Sequence, residues 1–132
     1  MTGETDLARM LAVLDVVRRP GRYTVVTGEW PDLAPSAAAA IAEDEGTTYV
    51  VTVEQATAAG APVGFEAAWL TLTVHSALEA VGLTAAVSAA LARAGIACNV
   101  LAGYHHDHVL VPVDRADEAV TVLRSLGPLS SR

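Results

Sequence analysis

The stretch 69–95, WLTLTVHSALEAVGLTAAVSAALARAG, changes its apolar period once, and that change decides the fold. From Trp69 to His75 the pattern alternates. Leu70, Leu72 and Val74 face one side and Trp69, Thr71, Thr73 and His75 the other, which is the period of a strand. From Leu83 the period lengthens: Leu83, Val87 and Leu91 recur at helical spacing, with Ala86 and Ala90 beside them. Arg93 falls in the last turn and Gly95 is placed to end the helix. Downstream, Ile96–Gly103 reads as a strand and His108–Val113 as another after a short turn. Asp114 is placed to cap a last helix holding Ala116, Ala119, Val120 and Leu123. Residues 65–126 therefore predict strand–helix–strand–strand–helix, with a tail fraying from Gly127.

Upstream the pattern is a partial echo. Leu7, Met10, Leu11, Leu14 and Val17 predict an amphipathic helix over 5–18, capped by Thr5 or Asp6 and stopped by Pro20-Gly21. Tyr23–Thr27 reads as a strand and Gly28–Pro35 as a turn-rich loop carrying Trp30 and Pro31. Ser36–Glu43 reads as an Ala-rich helix that stops at Asp44-Glu45-Gly46. Thr47–Val53 is a second strand, and Glu54–Gly60 a short helix or turn. Ala61-Pro62-Val63-Gly64 looks like a linker, which divides the chain into 1–63 and 64–132. The expected class is two related small α/β layers side by side, each with one helical face.

Composition narrows the function. The 132 residues carry a net charge of −7 with eight Lys plus Arg, all of them Arg. No cationic stripe exists to neutralise phosphates, so nucleic acid is not an expected partner, nor is an anionic membrane surface. No apolar run is long enough to span a bilayer and no signal peptide opens the chain. The lone Cys98 excludes an intrachain disulfide, and the expected location is the cytoplasm. With one Phe, the core must be built of small and β-branched side chains.

Three places carry candidate chemistry. The segment 75–84 turns from strand to helix, and free N–H groups at a helix start attract a carboxylate. Gly82 lets a ligand approach the backbone, and Ser76 and Glu79 are placed to hold an ammonium. Ser76-x-x-Glu79 is equally the pattern of a capping box that merely starts a helix. In the run Tyr104-His105-His106-Asp107-His108, His106 and His108 stand at strand spacing and are weak metal candidates; a hairpin with its corner at His106-Asp107 is the alternative. His75 adds a ligand only if the fold brings it there. Asn99 shares a face with Ala97 and Leu101, where it can contact a ligand or bond a nearby loop. Cys98 lacks a neighbouring charge and reads as a small core residue. No G-x-S-x-G, P-loop, G-x-G-x-x-G or H-E-x-x-H is present, so no enzyme activity and no cofactor is expected.

The motifs HSALEAVGLTA at 75–85, AGIACN at 94–99 and AGYHHDH at 102–108 resemble the ACT-domain family over Phe65 to about Leu123, and more narrowly small bacterial stand-alone tandem ACT proteins of uncharacterised function. Glu43–Thr48 resembles the N-terminal layer of the same proteins. The resemblance implies α+β architecture: two ferredoxin-like βαββαβ layers with antiparallel sheets, helices on one face, and a degenerate N-terminal copy. A strand missing from either copy would be supplied by the other. It further implies a regulatory module that binds an amino acid where units meet. Its ligand-binding residues would be His75, Ser76, Leu78, Glu79, Ala80, Val81, Gly82, Leu83, Asn99 and Val100. The carboxylate would sit on backbone N–H groups of 76–83; Glu79 as ammonium partner is an inference from its charge alone. The His105–His108 run is not part of the general pattern, and no catalytic domain is attached in cis. A homodimer is expected from open sheet edges. The alternatives are an interaction or structural protein with a vestigial pocket, and a His-cluster metal protein.

Overall fold

The computed structural model describes residues 6–127. In chain order the elements are α1 (Leu7–Ala12), β1 (Val16–Thr27), β2 (Ala39–Glu43), β3 (Gly46–Thr52), α2 (Val53–Ala59), β4 (Ala67–Leu72), α3 (Leu83–Arg93), β5 (Asn99–Ala102), β6 (Asp107–Pro112) and α4 (Ala116–Arg124). Contacts gather Pro20–Ala67 into one compact unit and the described chain on both sides of it into another. The N-terminal stretch, assigned from sequence to the first layer, thus packs with the second. Strand β1 serves both units, its first residues in the larger and Pro20–Thr27 in the smaller.

In the larger unit the strands run in the order β1, β4, β6, β5, with β5 and β6 antiparallel and Asn99 opposite Leu110. The fourth strand is therefore the start of β1, supplied from the N-terminal end. Alternate residues build one core. Leu70, Leu72 and Val74 meet Val109, Val111 and Val16 against Leu83, Val87 and Leu91 of α3 and Ala119 and Leu123 of α4. Each such Leu or Val contributes about 1.5–3 kcal/mol by leaving water. Arg124 anchors the start of β1 from α4, its Nε donating to Asp15 at 2.8 Å. That bond, with the Val16 N–H, holds the Asp15 carboxyl below the usual carboxylate range.

Helix α1 is shorter than its periodicity predicts. Asp6 caps it, accepting from Arg9 N–H at 3.0 Å, while Thr5 lies outside the described residues. The helix ends at Ala12, and the β-branched pair Val16-Val17 already belongs to β1. Pro20-Gly21, read as a helix stop, lies inside that strand, with Gly21 at φ 98°. Asp114 does not cap α4. It sits in a 3-10 turn, and the cap position is Arg115, without a side-chain bond. Gly127 is buried and donates to Arg124 O at 3.0 Å; the tail beyond it lies outside the described residues.

In the smaller unit β3 pairs antiparallel with both β2 and β1, Ala39 opposite Val50 and Tyr23 opposite Thr52. Val26, Leu33, Val51, Ala56 and Ala61 form its core. Helix α2 opens with a capping box, Thr52 with Gln55, and closes at Gly60. The predicted helix 36–43 is absent. A 3-10 turn over Ala34–Ser36 gives way to β2, which turns through Asp44-Glu45 into β3. Alanine's helix preference is worth at most about 0.7 kcal/mol per residue over ordinary residues. Each ladder bond, such as Ala38 N–H to Val50 O at 2.8 Å, returns about 1 kcal/mol and aligns the strand on the core.

Candidate functional site

The segment after β4 is held by its ends. Ser76 is buried, and its Oγ donates to Asp107 Oδ2 at 3.4 Å, tying the loop to the start of β6. Ala80 N–H closes a turn on Ala77 O at 3.0 Å. Leu83 is buried and Ala80 packs on the same core. Helix α3 starts only at Leu83, behind Gly82, and no side chain bonds its first turn. Ser76 and Glu79 thus do not form the capping box their spacing allows. Gly82 is left-handed at φ 109°, and a β-carbon there would lie 2.9 Å from Leu7 Cδ2. Helix α1 accordingly covers one side of the turn. Leu78 and Val81 are 65% and 83% exposed, and Glu79 also faces solvent.

Asn99 and Val100 do not share a face. Val100 packs against the helix-side core and Asn99, exposed, begins β5 on the opposite side. Cys98 is half-buried, and burial pushes its thiol up, against any role as nucleophile.

The histidines separate into two groups. The hairpin corner is Tyr104-His105, closed by Gly103 N–H donating to His106 O at 2.9 Å, rather than His106-Asp107. His108 lies with Trp69 and Thr71. The Trp69 indole N–H is shared between Thr71 Oγ1 and His108 Nδ1, each at 3.2 Å, and Thr71 Oγ1 stands 2.9 Å from Nδ1. An indole N–H only donates, so Nδ1 accepts and the neutral ring carries its proton on Nε2. Burial pushes the His108 pKa down, with the neighbouring His106 charge adding to it. Arg19 stacks 4.9 Å over Trp69. The remaining imidazoles gather at the hairpin, with ring centroids of His75 5.6 Å from His105 and 6.1 Å from His106. His75 is thus brought to the run, but beside His105 and His106 rather than His108. Among the described residues no group of three His, Cys, Asp or Glu side chains is arranged to hold a metal.

Beside His75 opens a cavity of about 590 Å³ lined by Arg9, Ala12, Val13, Thr73, Val74 and His75. Of the predicted ligand residues only His75 reaches it. Arg9 and Thr73 were not foreseen. Arg9 belongs to a helix read as part of the other layer, while the alternation read over Trp69–His75 puts Thr73 on the face of His75, and in the structure both follow the end of β4 at Leu72.

An α+β chain of two compact units, each taking part of β1 and each holding antiparallel strand pairs, is the ferredoxin-like tandem class. The ACT-domain family model matches residues 65–125 and a second ACT-domain model matches 2–68. The chain belongs to the ACT-domain family. A protein of unknown function from Vibrio cholerae, described as a possible transport protein, is 38% identical, with 89% of this chain and 92% of that one covered and a TM-score of 0.80. Escherichia coli aspartokinase III, solved with aspartate and ADP, shares the fold at 16% identity and a TM-score of 0.62. The match covers 89% of this chain and 33% of the kinase. The regulatory subunit of aspartate kinase from Thermus flavus does so at 12% identity and 0.58, over 85% of this chain and 96% of its own. No curated relative matches the chain. ACT domains are regulatory rather than catalytic modules. Among the described residues no helix is long and apolar enough to cross a membrane.

Proposed function

We propose that this protein is an amino-acid-binding regulatory module, not an enzyme, acting in the cytoplasm on a partner protein. The ligand carboxylate rests on the backbone N–H groups where Gly82 opens into α3. The observation that carries the reading is the start of that helix: Gly82 is left-handed and no side chain caps the first turn. A helix start of this kind favours an anion through both its free N–H groups and its dipole. Ser76, Leu78, Glu79, Ala80, Val81 and Leu83 frame the seat. Glu79 faces solvent, where it can meet the ligand ammonium. His75 borders the approach from the Arg9 cavity. Asn99 and Val100, on opposite faces of β5, divide between a neighbouring ligand and the core. The exposed Leu78 and Val81 are the surface a second copy covers, which supports a homodimer.

Thermal melting of the full chain against each of the twenty amino acids tests this. A ligand at a hundred times its dissociation constant adds about 2.7 kcal/mol of stability. One amino acid raising the melting temperature supports the reading. Twenty flat curves favour an interaction protein with a vestigial pocket.

A further inference from the structure

We propose a second ligand site, in the smaller unit, for an organic cation of the alkylated-ammonium type. A cavity of about 430 Å³ opens there, lined among others by Gly28, Glu29, Trp30, Glu45, Gly46 and Tyr49. Two aromatic rings and two carboxylates therefore share one concave surface. Trp30 and Tyr49 each rest one side on the small core of this unit, so their rings are fixed before any ligand arrives. Trp30 is pinned further by its indole N–H, which donates to Thr27 O at 3.0 Å. The loop carrying Glu29 is tied to the strand after Glu45 by Gly28 N–H to Thr47 O at 3.1 Å, so the two segments that carry the carboxylates lie side by side at the cavity.

Neither Glu29 nor Glu45 has an ion pair or hydrogen bond to a described residue. The Arg side chains that do form ion pairs are spent elsewhere: Arg18 on Asp117, Arg22 on Glu66, Arg115 on Glu118 and Arg124 on Asp15. Aromatic faces present negative charge to a cation and apolar area to its alkyl groups. The carboxylates add direct Coulomb attraction, and a net charge of −7 biases the whole surface the same way. An inorganic ion gains little from the rings, whereas a ligand both positive and apolar uses the entire lining. This site is separate from the strand–helix loop of the larger unit and does not rest on the reading proposed for that loop.

Ligand-observed NMR of the full chain with tetramethylammonium chloride tests it, with sodium chloride at matched ionic strength as control. The expected result is saturable binding that E29Q/E45Q weakens at least tenfold and Trp30→Leu abolishes, with sodium unable to compete at equal concentration. The double Gln variant changes only exposed carboxylates and keeps the parent melting temperature, so the test does not depend on Trp30→Leu folding. No saturable binding to the parent, or undiminished binding to E29Q/E45Q, overturns the proposal.

Discussion

Leu7 occupies the space a side chain at position 82 needs: a β-carbon on residue 82 would lie 2.9 Å from Leu7 Cδ2. The contact links the first helix of the chain to the turn that starts α3, across most of the sequence; the φ of 109° is what demands glycine at 82, while Leu7 Cδ2, the end of a flexible side chain, must shift to admit a β-carbon.

Gly82→Ala is expected to cost about 1–3 kcal/mol, from the left-handed backbone and from displacement of Leu7. Adding Leu7→Ala relieves the contact but not the backbone strain, so the double variant should recover part of what Gly82→Ala loses beyond Leu7→Ala alone. Chemical denaturation measures this cycle. Strict additivity of the two changes would refute the contact.

His108 gives the stability a pH slope. Its folded pKa lies below the 6.5 of an ordinary imidazole, chiefly because it is desolvated. Between those two values the unfolded chain holds more protons than the folded one. Stability is therefore full above about pH 6.5 and declines as pH falls toward the folded value. His108→Asn keeps an acceptor for the Trp69 N–H and removes the titration. Its denaturation midpoint should fall less steeply from pH 7 to 5 than the parent's. An equal slope would place the titration elsewhere.

Thr24 is fully buried in β1, and its hydroxyl has no partner among the described residues. Thr24→Val keeps the shape and removes a polar group that burial strands. A gain of about 1 kcal/mol is expected. Loss of stability would mean that the hydroxyl is satisfied in solution.

The larger unit was legible in the sequence because its periods are unambiguous. Leu70-x-Leu72-x-Val74 reads only as a strand, and Leu83, Val87 and Leu91 only as a helix; both elements form, although β4 runs over Ala67–Leu72 and ends before Val74 and His75. The smaller unit was not. Ala38–Ala42 carries no period at all, since alanine fits either face of either element, and its pairing with β3 decided the outcome. The path of β1 through Pro20-Gly21 was hidden because two strong local breakers sit inside a strand whose pairing with the distant β3, from Tyr23 to Thr27, no local pattern encodes. At the site, the strand–loop–helix order was readable. The arrival of Leu7 over Gly82, and of Arg9 beside His75, depends on α1 packing with the distant unit, which no local pattern encodes.

The central claim is that the amides opening α3 seat a carboxylate. Amide NMR of the labelled chain with the amino acid that most raises its melting temperature tests this most directly. The account predicts that the largest shifts fall on the amides of Leu83, Thr84 and Ala85, and that they vanish with the matching amino-acid amide in place of the acid. Shifts confined to other residues, or no saturable shift with any of the twenty amino acids, would contradict it.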